Sequence, residues 1–176
     1  MTILHTPRLR LEPLDDRHLE GLFAMNRQPE VMRFLGGQPE TREQSAQMIA
    51  VVKERWAEFG YSWWAFVELA TGELIGAGCI QHLGRDRANP LEIGWRLRPD
   101  RWKQGFALEA ARRMATFAFE GLQTPLLRSV CHPDNHASSR VMQRLGMAYC
   151  GHEQWYGMTV LAYEIKLAQW KDHPHE

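Results

Sequence analysis

The chain has 176 residues, and its 21 Lys and Arg residues balance its 21 Asp and Glu residues, so the formal net charge at pH 7 is zero. That balance argues against nucleic acid as a main partner, because binding to a phosphate backbone requires a basic excess. No apolar run approaches the roughly 20 residues of a membrane span. The length and the 44% hydrophobic share predict one domain over residues 1–176. We expect its core at about 6–167 and a polar tail at 171–176.

Seven strands are predicted from apolar runs, alternating or continuous, that turn residues bound. In chain order they are residues 8–14, 63–69, 74–80, 90–97, 126–131, 147–151 and 158–167. The Thr71-Gly72 turn joins the second and third strands as a hairpin. The helix-length segment between the fourth and fifth strands predicts that these two pair in parallel with a right-handed crossover.

Four helices are predicted between these strands from capping residues and glycine stops. In chain order they are a helix that Asp15 or Asp16 caps and Pro29 interrupts, a helix from the Thr41–Gln44 capping box to Gly60, a helix after Gly105, and a short helix at about 137–145. Helices and strands in this order predict a mixed sheet with helices on its faces, an α/β or α+β fold.

The most informative segment is the fourth predicted strand with the loop and helix that follow it. Residues 91–97 have the pattern of a strand, residues 98–105 that of a tight loop ending in glycine, and a long amphipathic run begins after Gly105. The first N–H groups of a helix have no acceptor within it and carry partial positive charge, so they bind phosphate without a lysine cluster. The segment therefore predicts a site for a phosphorylated cofactor, with an ordinary strand-to-helix turn as the alternative.

Two short motifs follow one another along the chain. The first is Trp102-Lys103-Gln104-Gly105-Phe106-Ala107, preceded by Glu92-Ile93-Gly94-Trp95, and it resembles the acyl-CoA loop of the GNAT N-acetyltransferase superfamily. Asn135-His136-Ala137-Ser138 with the following Val141–Met147 resembles its second signature. Thr6-Pro7-Arg8-Leu9 and Glu12-Pro13-Leu14 are similar to the RimJ/RimL branch, which includes enzymes that acetylate ribosomal-protein N-termini. An aromatic residue at the position of Trp102 also fits that branch.

The resemblance implies a GNAT-like fold: a mixed, mostly antiparallel central sheet of about seven strands with helices on both faces and a splayed parallel strand pair. It implies transfer of an acetyl group from acetyl-CoA to a primary amine, by direct attack through a tetrahedral intermediate. A protein N-terminal amine is the acceptor expected first. A small amine such as a polyamine, an amino acid or an antibiotic is one alternative, and a CoA-binding regulatory module without catalysis is another. A homodimer is the assembly that the family suggests.

The cofactor-binding residues follow from placing the family's motifs on this sequence. Backbone amides from Lys103 to Leu108 are expected to bind the diphosphate, with Gly105 allowing close approach. Gly94 is expected to mark a bulge that separates the fourth and fifth strands, so that the pantetheine arm enters near Arg96 and the N–H of about Leu97 stabilises an oxyanion. The full set expected to bind acetyl-CoA is Trp95, Arg96, Leu97, Lys103, Gln104, Gly105, Phe106, Ala107, Leu108, Asn135, Ser138 and Arg140.

Glu92 is the first candidate for a general base, because a carboxylate on this strand can take the amine proton directly or through water. A paired strand carboxylate is the alternative reading of Glu92, and Glu164 and His132 are the second and third candidates. Ser138 is expected to protonate the departing CoA sulfur or, alternatively, to bond to backbone. Asn135 is expected to bind the pantetheine arm, to cap a helix, or to do both.

A substrate pocket is expected from an apolar set that would equally suit a core: Met32, Phe34, Trp63 and Trp64. The three cysteines and eight histidines do not have metal-ligand spacing, so no metal is expected. Widely spaced cysteines are typical of reduced thiols, and the first residues lack the basic-then-apolar pattern of a secretory signal. We therefore expect a cytoplasmic protein.

Overall fold

Eight strands and six α-helices occupy residues 2–172, the part of the chain that the computed structural model describes. The strands are β1 (Leu4–His5), β2 (Leu9–Pro13), β3 (Trp63–Glu68), β4 (Leu74–His82), β5 (Leu91–Leu97), β6 (Leu126–Cys131), β7 (Ala148–Trp155) and β8 (Met158–Lys166). The helices are α1 (Leu19–Asn26), α2 (Pro29–Met32), α3 (Arg42–Phe59), α4 (Phe106–Thr116), α5 (His136–Arg144) and α6 (Leu167–Asp172). None of these described helices is both long and apolar enough to cross a membrane.

The strands hydrogen-bond in the order β1-β2-β3-β4-β5-β6-β8-β7. β5 and β6 pair in parallel, at Leu91 with Leu127 and at Glu92 with Arg128. The pairs β1–β2, β2–β3, β3–β4, β6–β8 and β7–β8 are antiparallel. The predicted mixed, mostly antiparallel sheet with one parallel pair is therefore confirmed.

The described residues divide into two units: residues 2–79 with 95–110, and residues 80–94 with 111–172. In the first unit, α3 begins with the predicted capping box, in which Thr41 Oγ1 accepts from the Gln44 amide at 3.2 Å and Gln44 Oε1 accepts from the Thr41 amide at 2.7 Å. The helix ends at Gly60, whose φ of 75° is one that glycine adopts without steric cost. Its apolar face buries Trp56 and neighbours one and two turns before it, as the spacing predicts.

In the second unit, β6 lies between β5 and β8 and is the site of the parallel pairing. The Ser129 hydroxyl on β6 donates to the Ile93 carbonyl on β5 at 2.8 Å, and both residues are buried. α4 passes into a π-helical turn at Phe117–Gly121 before β6 begins. The long hairpin of β7 and β8 completes this end of the sheet.

Parts of the structure differ from the prediction. β1 was missed because two residues are too few to show an alternating pattern. β7 continues to Trp155, past the predicted end at Gly151, because a bulge between Tyr149 and Gly151 shifts the register without ending the strand. The predicted polar tail begins within α6, which the Trp170 ring anchors against Phe119 at a centroid distance of 5.3 Å. Residues 173–176 of that tail lie outside the described part of the chain.

Candidate active site

The loop between β5 and α4 presents a row of backbone amides in the first unit. A 3-10 turn at Pro99–Arg101 follows β5, and the chain then takes positive φ angles at Lys103 (60°) and Gly105 (85°). The first helical hydrogen bond runs from the Glu109 amide to the Gly105 carbonyl at 3.1 Å. The amides of Phe106–Leu108 precede that bond, so helix geometry provides them with no acceptor inside the helix. Together with the positive end of the helix dipole they can bind an anion.

Residues before β2 hold this loop from one side. Glu109 Oε1 accepts from Thr6 Oγ1 at 2.6 Å and from the Arg8 amide at 2.9 Å, and Glu109 Oε2 accepts from Arg8 Nε at 2.7 Å. Arg8 Nη1 also donates to the Gln104 carbonyl at 3.0 Å, and its guanidinium carbon lies 4.1 Å from the centroid of the Phe106 ring. Sequence reasoning used Thr6 and Arg8 only as a family signature and missed this clamp on the start of α4.

The end of β5 packs closely against β4. Gly76 on β4 permits this close packing, because a Cβ there would lie 2.4 Å from a methyl carbon of Leu97 and 2.6 Å from the Arg96 carbonyl. The indole N–H of Trp102 donates to the Leu97 carbonyl at 2.9 Å, which ties the loop back to the strand. Trp102 thus supports the loop through this hydrogen bond.

Glu92 lies in the second unit and is 5% exposed. Gln81 Nε2 donates to its Oε1 at 2.6 Å, and the hydroxyl of Tyr156 donates to the same oxygen. Burial raises the pKa of Glu92 by more than these two hydrogen bonds and the charge of Arg85 lower it, so its pKa lies above the ordinary glutamate value. A carboxyl with a raised pKa is a group suited to proton exchange near neutral pH.

Tyr156 contacts Glu92, and sequence reasoning gave it no part in catalysis. It stands at the tip of the β7–β8 hairpin with a φ of 54°, and its hydroxyl accepts from the Gly84 amide at 3.0 Å while donating to Glu92. Gly84 lies so close to the Trp155 ring that a Cβ there would approach it to 2.9 Å. The turn after β4 therefore helps to position the Tyr156 hydroxyl that donates to Glu92.

The second signature forms the start of α5. Asn135 Oδ1 accepts from the Ser138 amide at 3.1 Å, so Asn135 is the N-cap of this helix. Ser138 is half-buried and Arg140 is exposed. The Cys131 thiol donates to the Asn135 carbonyl at 3.9 Å, and burial raises the pKa of Cys131 to about 11. A thiol with that pKa is almost wholly protonated near neutral pH, which disfavours a covalent acyl-cysteine.

The other candidates for a base have different surroundings. Glu164 lies on β8 across from Arg128 of β6. His132 follows β6, and its Nδ1 accepts from the Asp134 amide at 3.1 Å. Neither has the burial of Glu92. Over residues 2–172, no group of three or more His, Cys, Asp or Glu side chains is placed to hold a metal ion.

The expected pocket residues divide into two groups. Met32 and Trp63 both contact Arg96, and Phe34 is half-buried. Trp64, by contrast, is fully buried, donates from Nε1 to the Thr2 carbonyl at 2.9 Å, and packs edge-on against Trp56 at a centroid distance of 4.9 Å. Trp64 is thus part of the core of the first unit.

Comparison with known proteins places the chain among the acetyltransferases. The model of the acetyltransferase (GNAT) domain matches residues 8–148. The chain is 31% identical over 145 residues to the uncharacterised N-acetyltransferase YoaA of Bacillus subtilis (strain 168), with 82% of this chain and 81% of that protein covered. It is 31% identical over 154 residues to an FsC-acetyl coenzyme A-N(2)-transacetylase of Aspergillus fumigatus, with 83% of this chain and 65% of that protein covered. The crystal structure of an acetyltransferase from Agrobacterium tumefaciens str. C58 matches with a TM-score of 0.81, 27% identity and 94% of both chains covered.

The protein belongs to the GNAT acetyltransferase family, and it is an N-acetyltransferase. The predicted GNAT fold and superfamily are therefore confirmed, and the co-substrate of the family is acetyl-CoA. The amides at the start of α4 suit the diphosphate of such a molecule, since helix geometry gives them no acceptor inside the helix and they lie at the positive end of the helix dipole.

Substitution of Glu109 by alanine tests the clamp on that loop. The change removes three hydrogen bonds to the segment before β2, and the start of α4 should then fluctuate. We expect the Kd for CoA, measured by calorimetry, to rise about tenfold. The control is Glu20→Ala, which removes another ion-paired glutamate of the same unit, one bound to Arg42. Equal affinity of the two variants would show that the clamp does not support cofactor binding.

Proposed function

We propose that the protein acetylates the N-terminal amine of a peptide or protein with acetyl-CoA, by direct attack and without an acyl-enzyme. The amine nitrogen forms a bond to the thioester carbonyl carbon, the tetrahedral intermediate collapses, the C–S bond breaks, and the ammonium proton passes to a base. What most supports this proposal is the row of amides at residues 106–108, behind Gly105, in a chain of this family.

The diphosphate of acetyl-CoA is assigned to the backbone of Lys103–Leu108. The backbone of Trp95–Leu97, together with Asn135, Ser138 and Arg140, is assigned to the rest of the cofactor on the strength of the two motifs. The Asn135 side chain already caps α5, so its contribution to the cofactor is that of a residue held in a fixed position.

Glu92 is assigned as the base. At pH 7 an α-amine with a pKa near 8 needs only about 1.4 kcal/mol to lose its proton, whereas a lysine near 10.4 needs roughly 4.6 kcal/mol. A single buried carboxylate is therefore sufficient help for an α-amine, and this difference favours an N-terminal acceptor over a lysine side chain.

Ser138 is assigned as the donor of a proton to the CoA sulfur. A thiol with a pKa of roughly 8.5 leaves as thiolate at a cost of about 2 kcal/mol at pH 7. Loss of the Ser138 hydroxyl should therefore slow the reaction without abolishing it.

A small amine is the second candidate acceptor, and the similarity to the FsC-acetyl coenzyme A-N(2)-transacetylase favours it. The likeness to solved ribosomal-protein acetyltransferases from Vibrio species, at 20% and 12% identity, concerns the fold alone. Either acceptor is compatible with a cytoplasmic enzyme whose cysteines stay reduced. A homodimer, which we propose from the resemblance, can be tested by sedimentation.

A thiol-release assay with acetyl-CoA decides among these functions. We expect release with peptides that have a free N-terminus and none with the same peptides after N-terminal blocking, even when they contain lysine. Faster turnover of amino acids, polyamines or aminoglycosides would establish the small-amine function instead. Binding of acetyl-CoA without release from any amine would overturn the assignment as an active enzyme.

A further inference from the structure

Arg96 on β5 has a buried cationic side chain whose donors find no strong acceptor among the described residues. The side chain is 8% exposed, and over residues 2–172 its Nε has no hydrogen-bond partner. Its Nη1 and Nη2 lie 3.8 Å and 3.1 Å from the thioether sulfurs of Met32 and Met48. A thioether is only a weak acceptor, so a buried guanidinium is left short of the partners that such a group requires.

Glu40 is the nearest carboxylate, and its hydrogen bonds go elsewhere. Its Oε1 lies 4.0 Å from Arg96 Nη1, beyond the range of about 2.7–3.2 Å for an N–H···O hydrogen bond. Its Oε2 accepts from Asn26 Nδ2 at 2.7 Å and from Ser45 Oγ at 3.1 Å. Glu40 thus lowers the electrostatic cost of burying Arg96, but it does not hydrogen-bond to the N–H donors along the edge of the guanidinium.

Besides the Cys79 thiol, three further neighbours of Arg96 are largely apolar side chains. Its guanidinium carbon lies 4.9 Å from the centroid of the Trp63 ring, which is half-buried. Met32 is buried and Met48 half-buried, and methionine side chains repack at low cost because they have three rotatable bonds. Rotation of these two side chains would exchange two weak sulfur acceptors for the oxygens of an incoming anion.

We propose that Arg96 binds a carboxylate of the acceptor, so that the substrates of this enzyme are primary amines that also carry a carboxylate. The guanidinium fork matches a carboxylate with two parallel N–H···O bonds, and a buried cation gains more from such a partner than an exposed one does. This inference rests on the proposed acetyl transfer and narrows its acceptor. Free amino acids and peptides with an acidic side chain near the N-terminus both have the required chemistry.

Matched pairs of acceptors test the inference. One pair is alanine and alaninamide, and the other is two peptides that differ only by Asp or Asn at the second position. In the thiol-release assay with saturating acetyl-CoA, we expect kcat/KM to be about tenfold to a hundredfold higher for the carboxylate member of at least one pair. The pair that shows the larger ratio identifies the source of the carboxylate.

Arg96→Met and Arg96→Lys are the variants, and Arg42→Gln is the control. Arg96→Met keeps the backbone that is assigned to acetyl-CoA and should abolish the preference by lowering kcat/KM for the carboxylate member, whereas a purely structural role would lower kcat/KM for both members by the same factor. Arg96→Lys is the second variant, which serves if Arg96→Met does not fold. Lysine keeps the positive charge but cannot make two parallel hydrogen bonds to a carboxylate, so this variant should keep only part of the preference. Arg42 is an exposed arginine of the same unit, and its loss should leave the ratio unchanged.

Thermal shift with the acetylated products keeps the inference separate from the proposed function. N-acetylalanine should raise the melting temperature of the wild type in the presence of CoA more than N-acetylalaninamide does, and Arg96→Met should remove that difference. Carboxylate-dependent stabilisation without any thiol release would defeat the proposed acetyl transfer and leave the carboxylate site standing. Equal kcat/KM values within both pairs, together with equal thermal shifts, would overturn the inference.

Discussion

Glu92→Gln is expected to lower kcat/KM by about 10²–10⁴-fold near neutral pH, the range typical for loss of a general base. Glutamine keeps the shape of the side chain and an oxygen that can accept from Gln81 Nε2 and the Tyr156 hydroxyl, but it cannot take a proton. Thiol release with the best acceptor is the measurement. Glu120→Gln, at an exposed glutamate of the same unit, is the control and should retain full activity.

The pH profile of kcat/KM gives a second test of Glu92, and the direction of its shift follows from the pKa of this carboxyl. Because burial holds the pKa of Glu92 above the ordinary glutamate value, the wild-type kcat/KM should fall with decreasing pH at a higher pH than a solvated carboxylate would give. Tyr156→Phe removes a hydrogen bond that lowers this pKa, so the acidic limb should move to still higher pH. Glu92→Gln should lack the part of this limb that the carboxyl causes and keep only the fall in kcat/KM that protonation of the acceptor amine causes. Identical pH profiles for wild type and Glu92→Gln would eliminate Glu92 as the base and leave Glu164 and His132 to be tested.

Loss of stability will not explain a loss of activity in Glu92→Gln. A carboxyl whose pKa is raised by folding stabilises the native state below its unfolded pKa, and this contribution is lost as pH rises through the folded pKa. At neutral pH the buried charge is therefore a cost that the neutral glutamine avoids. Thermal melts should show Glu92→Gln to be at least as stable as the wild type at pH 7 to 8.

Sequence patterns correctly predicted those features that depend on residues close together in the chain. The capping box at Thr41 and the stop at Gly60 were predicted because each depends on neighbours within one turn. The loop at Gly105 was predicted for the same reason, since a glycine before an amphipathic run indicates where helix amides become available. The fold class followed from the order of these local elements.

Contacts between distant parts of the chain could not be predicted in this way. Tyr156 and Glu92 are 64 residues apart, and Arg8 and Glu109 are 101 residues apart. Sequence spacing has no information about either contact, because both depend on how the strands order themselves in the sheet. Residue type alone was likewise insufficient for Trp64. An aromatic side chain suits a pocket and a core equally, and only its complete burial in the structure places it in the core.

Gly105→Asp should raise the Kd for CoA about a hundredfold, because it introduces a negative charge beside the amides assigned to the diphosphate. Gly105 has a φ of 85°, and among the described residues a Cβ there would meet only Arg8 Nη2, at 3.4 Å. Asp and Asn both tolerate positive φ better than other side chains do, so Gly105→Asn reproduces the backbone strain and the bulk without the charge. Gly60→Asp, at a φ of 75° in open space within the same unit, controls for charge and strain elsewhere.

Calorimetry with CoA and with pantetheine separates a diphosphate effect from a general defect. Pantetheine lacks the diphosphate, so its affinity should fall little in Gly105→Asp, whereas that of CoA should fall steeply and less so in Gly105→Asn. Gly60→Asp should bind both molecules as the wild type does. If Gly105→Asp bound CoA as tightly as Gly60→Asp, the phosphates would lie elsewhere. A diphosphate bound to the amides next to residue 105 would be repelled by the carboxylate that Gly105→Asp introduces.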